Sequence, residues 1–113
     1  MMEKLCALDE LAEGQMRAIG IRYTLLLAVW PQGGILRVLQ GICPHAGELL
    51  SDARFDGQTL TCRAHDWIFD AATGQCTYGR PCTLAEYEHE IRDGMVLVDI
   101  EGTTPSRIIR RRG

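Results

Sequence analysis

The chain of 113 residues reads as an all-β protein of short antiparallel strands. Three observations carry that reading. Glycines and other turn formers interrupt the sequence about every ten positions. Few stretches hold apolar residues at i, i+3, i+4 and i+7 beyond two helical turns. Two segments also have the form of a hairpin. In order, Lys4 to Ala7 is a first strand, and the acidic stretch Leu8 to Glu13 is a turn or single helical turn leading to Gly14. Tyr23 to Trp30 is a buried strand, Pro31-Gln32-Gly33-Gly34 turns, and Ile35 to Leu39 returns. Ser51 to Leu60 folds back at Phe55-Asp56-Gly57. Near the end Tyr87, His89 and Ile91 alternate with charged residues, Arg92-Asp93-Gly94 turns, and Met95 to Ile100 closes a second hairpin.

Composition bounds the function. Hydrophobic residues are 46% and charged residues 24%, the balance of a folded domain rather than of a disordered chain, and the length suits one domain. Residues 1–106 form that domain, with about 40–82, the part richest in turn residues, cysteine and histidine, inserted as its site-bearing subdomain. Four of the 12 basic residues, Arg107, Arg110, Arg111 and Arg112, lie in the last seven positions. The body before them therefore carries a net charge of −7, which excludes the basic footprint of a nucleic-acid binder and favours a partner with a basic docking patch. Residues 107–113 read as a basic, disordered tail. The longest apolar run, Leu25 to Trp30, ends at Pro31, far short of the roughly 20 residues a membrane span needs. With no basic region ahead of an apolar one at the N-terminus, the expected location is the cytoplasm. Five cysteines, an odd number without an export signal, suit metal ligands and free thiols better than a disulfide framework.

The informative residues are Cys43-Pro44-His45 and Cys62-Arg63-Ala64-His65, a C-x-H and a C-x-x-H separated by 16 residues. Two thiolates and two imidazoles suit iron or zinc, not magnesium or calcium. Zinc fingers pair cysteine with cysteine in one knuckle and histidine with histidine in the other. Here each arm offers one of each, so two facing arms place both cysteines on one metal and both histidines on a second, the Rieske arrangement. A two-iron cluster on Cys43, His45, Cys62 and His65 is thus favoured over a zinc site, and zinc over no metal. His89 alternates with Tyr87 and Ile91 outside both arms and reads as a packed histidine. Cys6, Cys76 and Cys82 read as core or free thiols.

Cys43-Pro44-His45-Ala46-Gly47, Cys62-Arg63-Ala64-His65-Asp66-Trp67 and Phe69-Asp70-Ala71-Ala72-Thr73-Gly74 resemble Rieske-type ferredoxins, above all the ferredoxin component of multicomponent toluene monooxygenases with diiron hydroxylases. Lys4 to Asp9 and Cys82 to Tyr87 extend the likeness over nearly the whole chain. The resemblance implies a Rieske fold, an antiparallel β base carrying an inserted cluster-binding subdomain, and one 2Fe-2S cluster. It places the inner iron on Cys43 and Cys62, and the outer iron, where the added electron resides, on His45 and His65. High-potential relatives join their cluster loops by a disulfide, but Glu48 and Ala64 occupy those positions here. They also follow the second histidine with a hydroxylated residue where this chain has Asp66-Trp67. Both departures imply a potential near about −150 mV, the low end of the Rieske range. Gly79-Arg80-Pro81-Cys82 takes the place of the proline loop covering the cluster, and Trp67 reads as core support.

The function implied is a soluble, monomeric carrier of single electrons, not an enzyme. It would run from an NADH-dependent flavin reductase to the hydroxylase of a hydrocarbon monooxygenase through transient complexes, without nucleic acid or membrane. Docking would use a small apolar tip of Pro44, Ala46 and Ala64 ringed by Glu48 and Asp66. The alternatives are the ferredoxin of a Rieske aromatic-ring dioxygenase, a zinc-stabilised binding module and, least favoured, the N-terminal piece of an oxygenase subunit.

Overall fold

A computed structural model describes residues 1–45 and 47–107. Ten strands and two single 3₁₀ turns form three antiparallel sheets, as the all-β reading expects. The first sheet joins the two ends of the chain: β1 (Glu3–Ala7) pairs with β10 (Met95–Val98), which pairs with β9 (His89–Arg92). The second runs β2 (Met16–Ile21), β3 (Thr24–Val29) and β4 (Arg37–Gln40). The third is a meander of β5 (Arg54–Phe55), β6 (Thr59–Thr61), β7 (Ile68–Asp70) and β8 (Cys76–Tyr78).

The middle sheet separates two cores. Leu27, Val29 and Leu39 face a core shared with Leu50, Leu60, Phe69 and Leu84 of the third sheet's region. Their neighbours Leu26, Ala28 and Val38 face the other way, onto Leu5, Tyr87, Val96 and Val98. Because successive strand residues point to opposite faces, β3 is buried on both sides and its sequence is one continuous apolar run from Leu25 on. β2 is the strand absent from the sequence-based order of elements. Its Met16 and Ala18 pack on one core and Ile19 and Ile21 on the other, so an apolar alternation never forms.

Tyr23, expected to begin a strand, sits instead in the two-residue β2–β3 turn. Arg22 and Tyr23 both have positive φ, 48° and 64°, as a type I′ hairpin requires, and Tyr23 is fully exposed. The return strand also starts later than expected, at Arg37, leaving Ile35 exposed. Likewise β10 stops at Val98, short of Ile100. Leu8–Glu10 forms the expected single turn. His89 packs as expected, with its two ring nitrogens 3.2 Å from the carbonyls of Tyr87 and Leu36. Of the basic tail, only Arg107 falls within the described residues. Among those residues no helix is long and apolar enough to cross a membrane.

Candidate metal centre

The two cysteine–histidine arms are loops at one end of the third sheet's core, and their backbones close alike. In the first, the Cys43 N–H donates to the Glu48 carbonyl at 2.7 Å and the Gly47 N–H donates to the Cys43 carbonyl at 3.2 Å. In the second, the Cys62 N–H donates to the Trp67 carbonyl at 2.8 Å and the Asp66 N–H to the Cys62 carbonyl at 2.9 Å. Each loop thus bonds its cysteine to the residues four and five positions on. Each also puts the fourth in the left-handed region, Gly47 at φ 71° and Asp66 at φ 57°. Only glycine and, less readily, Asp or Asn accept that backbone at low cost.

This closure turns the cysteines inward. Cys43 and Cys62 are 2% and 3% exposed, packed with Leu50, Leu60, Trp67 and Phe69, and next to each other. The histidines turn outward: His45 is half-buried and His65 exposed. Their rings meet edge to face with centroids 4.4 Å apart. The structure therefore brings all four candidate residues together, sorted into a buried sulfur pair and an outer imidazole pair.

Burial pushes the Cys43 thiol up to about 12, helped by the adjacent Cys62 and opposed by the His45 backbone N–H. Two thiolates cannot share this space without a cation. A ferric iron held by Cys43 and Cys62 would supply that charge, so sulfur pairing, burial and donor chemistry fit a two-iron cluster.

Each loop is braced from behind. Gln40, 1% exposed, uses its amide fully. Its Nε2 donates to the Ile42 carbonyl at 2.6 Å and the Ser106 carbonyl at 2.9 Å, while its Oε1 accepts from the N–H groups of Ala85 at 2.8 Å and Ser106 at 2.7 Å. One side chain so ties the first loop to the C-terminal segment, and a hollow of about 730 Å³ lies between them. Gly41 beside it cannot carry a side chain, since a Cβ would come within 2.6 Å of Leu25.

The second loop leans on Trp67, whose indole stacks on His45 with centroids 4.4 Å apart and an 18° angle. Gly79 covers that indole so closely that a Cβ would lie 2.5 Å from the ring. Core support by Trp67 has its burial in the core behind it, and the Gly79 loop lies on its indole.

One expectation needs correcting. Pro44 is buried and adds nothing to the expected docking tip, whereas Ala64 is exposed; Ala46 lies outside the described residues. The exposed apolar surface beside the first loop is instead Ile42 and Leu49, bridged across it and 37% and 58% exposed. Cys76 and Cys82, read as core or free thiols, are free and packed against the core; they also lie side by side, and Cys82 is pushed up to about 11 by burial first and then by Cys76. Neither Gln40 nor this thiol pair carried a signal in the sequence, because each depends on residues brought close only by folding.

An antiparallel β scaffold presenting two loops with paired thiols inside and paired imidazoles outside fits the class of two-iron proteins with mixed cysteine–histidine ligation. Comparison with known proteins makes this specific. The Rieske [2Fe-2S] domain model matches residues 1–88, and the chain belongs to that family; its cofactor is one Rieske-type 2Fe-2S cluster. It is 30% identical over 97 residues to ferredoxin CarAc of Metapseudomonas resinovorans, covering 84% of this chain and 90% of that one. It is equally 30% identical over 99 residues to the ferredoxin component of the alkene monooxygenase system of Xanthobacter autotrophicus, covering 86% and 80%. The fold superimposes on a Sphingomonas yanoikuyae B1 ferredoxin with a TM-score of 0.75 and 26% identity, over 88% of this chain and 98% of that one. These relatives are electron-transfer components rather than catalytic subunits, and the zinc reading is set aside.

Proposed function

We propose that this chain carries single electrons within a multicomponent oxygenase system, with Cys43 and Cys62 holding the inner iron and His45 and His65 the outer. The observation that carries the proposal is the radial order of the ligands, sulfur in the core and imidazole at the surface. The bound cluster supplies a one-electron couple that imidazole ligation raises above that of an all-cysteine ferredoxin. The chain does the rest. Leu50, Leu60 and Phe69 keep water from the thiols, the matched loop closures fix both cysteines, and Trp67 orients the His45 ring. His65 stands exposed as the point of closest approach for a partner. Ile42 and Leu49 give an apolar contact nearby, and the exposed carboxylates of Glu48 and Asp66 set its charge. A contact this small suits redox encounters, which bury less than about 1,200 Å².

The donor is an NADH-dependent flavin reductase and the acceptor the hydroxylase of a diiron hydrocarbon monooxygenase, in the cytoplasm. Likeness to the alkene monooxygenase ferredoxin supports a monooxygenase as the acceptor. The second reading, the ferredoxin of an aromatic-ring dioxygenase, has equal sequence support from the p-cumate 2,3-dioxygenase ferredoxin of Pseudomonas putida, 30% identical over 99 residues. In either case residues 1–106 act as one monomeric unit, with about 40–82 as the cluster-binding part.

The test is the visible and electron paramagnetic resonance spectra of the purified protein before and after dithionite. The expected result is a brown protein whose reduced form has the low average g of mixed ligation and a midpoint near about −150 mV. Loss of the spectrum in Cys43→Ser and Cys62→Ser would assign the inner ligands. A colourless protein containing zinc would overturn the proposal. Turnover reconstituted with each oxygenase class separates the two readings.

A further inference from the structure

Outside the ligand set, the chain places two thiols opposite each other across the neck of the loop that covers Trp67. The segments 74–76 and 82–84 pair antiparallel: the Leu84 N–H donates to the Gly74 carbonyl at 2.7 Å, Gln75 bridges Thr83, and the Cys76 N–H donates to the Cys82 carbonyl at 2.9 Å. Cys76 and Cys82 are therefore directly opposed, with side chains on one face of the ladder. Opposed residues at a hydrogen-bonded position lie about 5.5 Å apart at Cα, inside the range of about 4.4 to 6.8 Å that a disulfide needs. The Cys76 thiol donates to the Tyr78 carbonyl at 3.4 Å, at the base of the same loop. Both cysteines are free, half-buried and packed against the core of the metal centre. Thr77 to Pro81 between them is wholly exposed.

We infer that Cys76 and Cys82 are a redox-reversible pair whose disulfide staples the Thr77–Pro81 loop over Trp67. The oxidant is a low-molecular-weight disulfide of the glutathione type. The thiolate of one cysteine attacks the glutathione S–S bond, and one glutathione leaves and takes a proton. The second cysteine then attacks the protein sulfur of the mixed disulfide, and the second glutathione leaves. One protein S–S bond forms, one glutathione S–S bond breaks, and two electrons and two protons pass to glutathione. Closure across the neck restricts Gly79, which lies on the Trp67 indole, and through that ring the His45 face. The cluster takes no part, so this inference does not rest on the carrier reading.

The test uses the cluster-loaded protein. It is incubated with excess oxidised glutathione, alkylated with N-ethylmaleimide, denatured and cut with trypsin. Because trypsin spares the Arg80–Pro81 bond, one peptide, Ala64 to Arg92, holds both cysteines and no others. The expected result is that most of this peptide is recovered two hydrogens lighter and free of maleimide, reverting with dithiothreitol, while the visible spectrum is unchanged. Amide exchange at Thr77 to Arg80 should slow several-fold on oxidation. In Cys82→Ser the exchange should stall as a glutathione adduct on Cys76. The inference is overturned if both cysteines remain alkylatable at every oxidant concentration, if a glutathione adduct persists in the wild-type peptide, or if the pair oxidises only as the cluster bleaches.

Discussion

The first loop, Cys43 to Glu48, and the second, Cys62 to Trp67, close with the same pair of backbone hydrogen bonds and the same left-handed residue, yet they hold their histidines differently. His45 stands two residues after its cysteine and His65 three. The shared closure delivers two equivalent buried thiols. The one-residue offset breaks the equivalence of the imidazoles, leaving His45 half-buried and stacked on Trp67 and His65 exposed. The braces differ as well: a buried amide holds the first loop and an indole under a glycine holds the second. Symmetry therefore lives in the backbone that fixes the sulfurs, and asymmetry in the side chains that present the surface ligands.

The largest effect is expected from breaking the second brace. Gly79→Ala puts a methyl 2.5 Å from the Trp67 ring, at φ +138°, where an L-residue is strained. Overpacking and strain together should cost about 4 kcal/mol, read as a fall in denaturation midpoint. The displaced indole should also alter the His45 signals while the ligation proposed for Cys43 and Cys62 persists. A melt and cluster spectrum like wild type would show that Trp67 does not depend on this contact.

Breaking the first brace should cost less. Gln40→Leu keeps the apolar volume but removes all four hydrogen bonds. The Ser106 groups are near enough to the surface to turn to water, whereas the Ala85 N–H and the Ile42 carbonyl lose their partner near the core. The expected loss is about 2 kcal/mol, with faster proteolysis of residues 103–107. If the first loop keeps its amide-exchange protection while the C-terminal segment loses its own, Gln40 holds the tail alone and the brace is not shared.

What was legible in the sequence follows the same division. Ligand loops are local: a cysteine, a histidine and a turn residue within six positions write their own geometry, and all four candidate ligands meet. The β9–β10 hairpin was legible because one face is buried, Val96 and Val98 pointing in, and Asp93-Gly94 makes the turn. β2 was not, because Met16–Ile21 divides its apolar residues between two cores and leaves Arg17 and Gly20 exposed. Tyr23 misled because its β-propensity pointed to a strand while hairpin geometry needed a turn residue there. Gln40 and the pairing of Cys76 with Cys82 arise from contacts between distant or unpatterned residues, and no local period encodes them.

Backbone strain alone can be compared at the two left-handed positions. A Cβ at Gly47 meets nothing within 4 Å, so Gly47→Ala measures only the cost of φ 71°, about 1 kcal/mol. Asp66→Ala imposes the same backbone on an alanine in the other loop and should cost less. The wild-type residue there already bears part of that strain, and its side chain is exposed. Equal costs would mean that Asp66 is unstrained and the loops differ in more than their histidines.

The smallest change is expected from Asp66→Asn. The carboxylate's ion pair with Arg54 spans 3.9 Å between side chains 66% and 73% exposed, a geometry that contributes little, and Asn accepts the left-handed backbone as readily as Asp. Stability should move by less than about 0.5 kcal/mol. The midpoint potential is the more sensitive readout, because the substitution removes a negative charge next to His65 without moving the loop. A rise in potential with an unchanged melt would separate the two roles of this position, backbone closure and surface charge. A potential that stays put would assign Asp66 to closure alone, making it the counterpart of Gly47 in full.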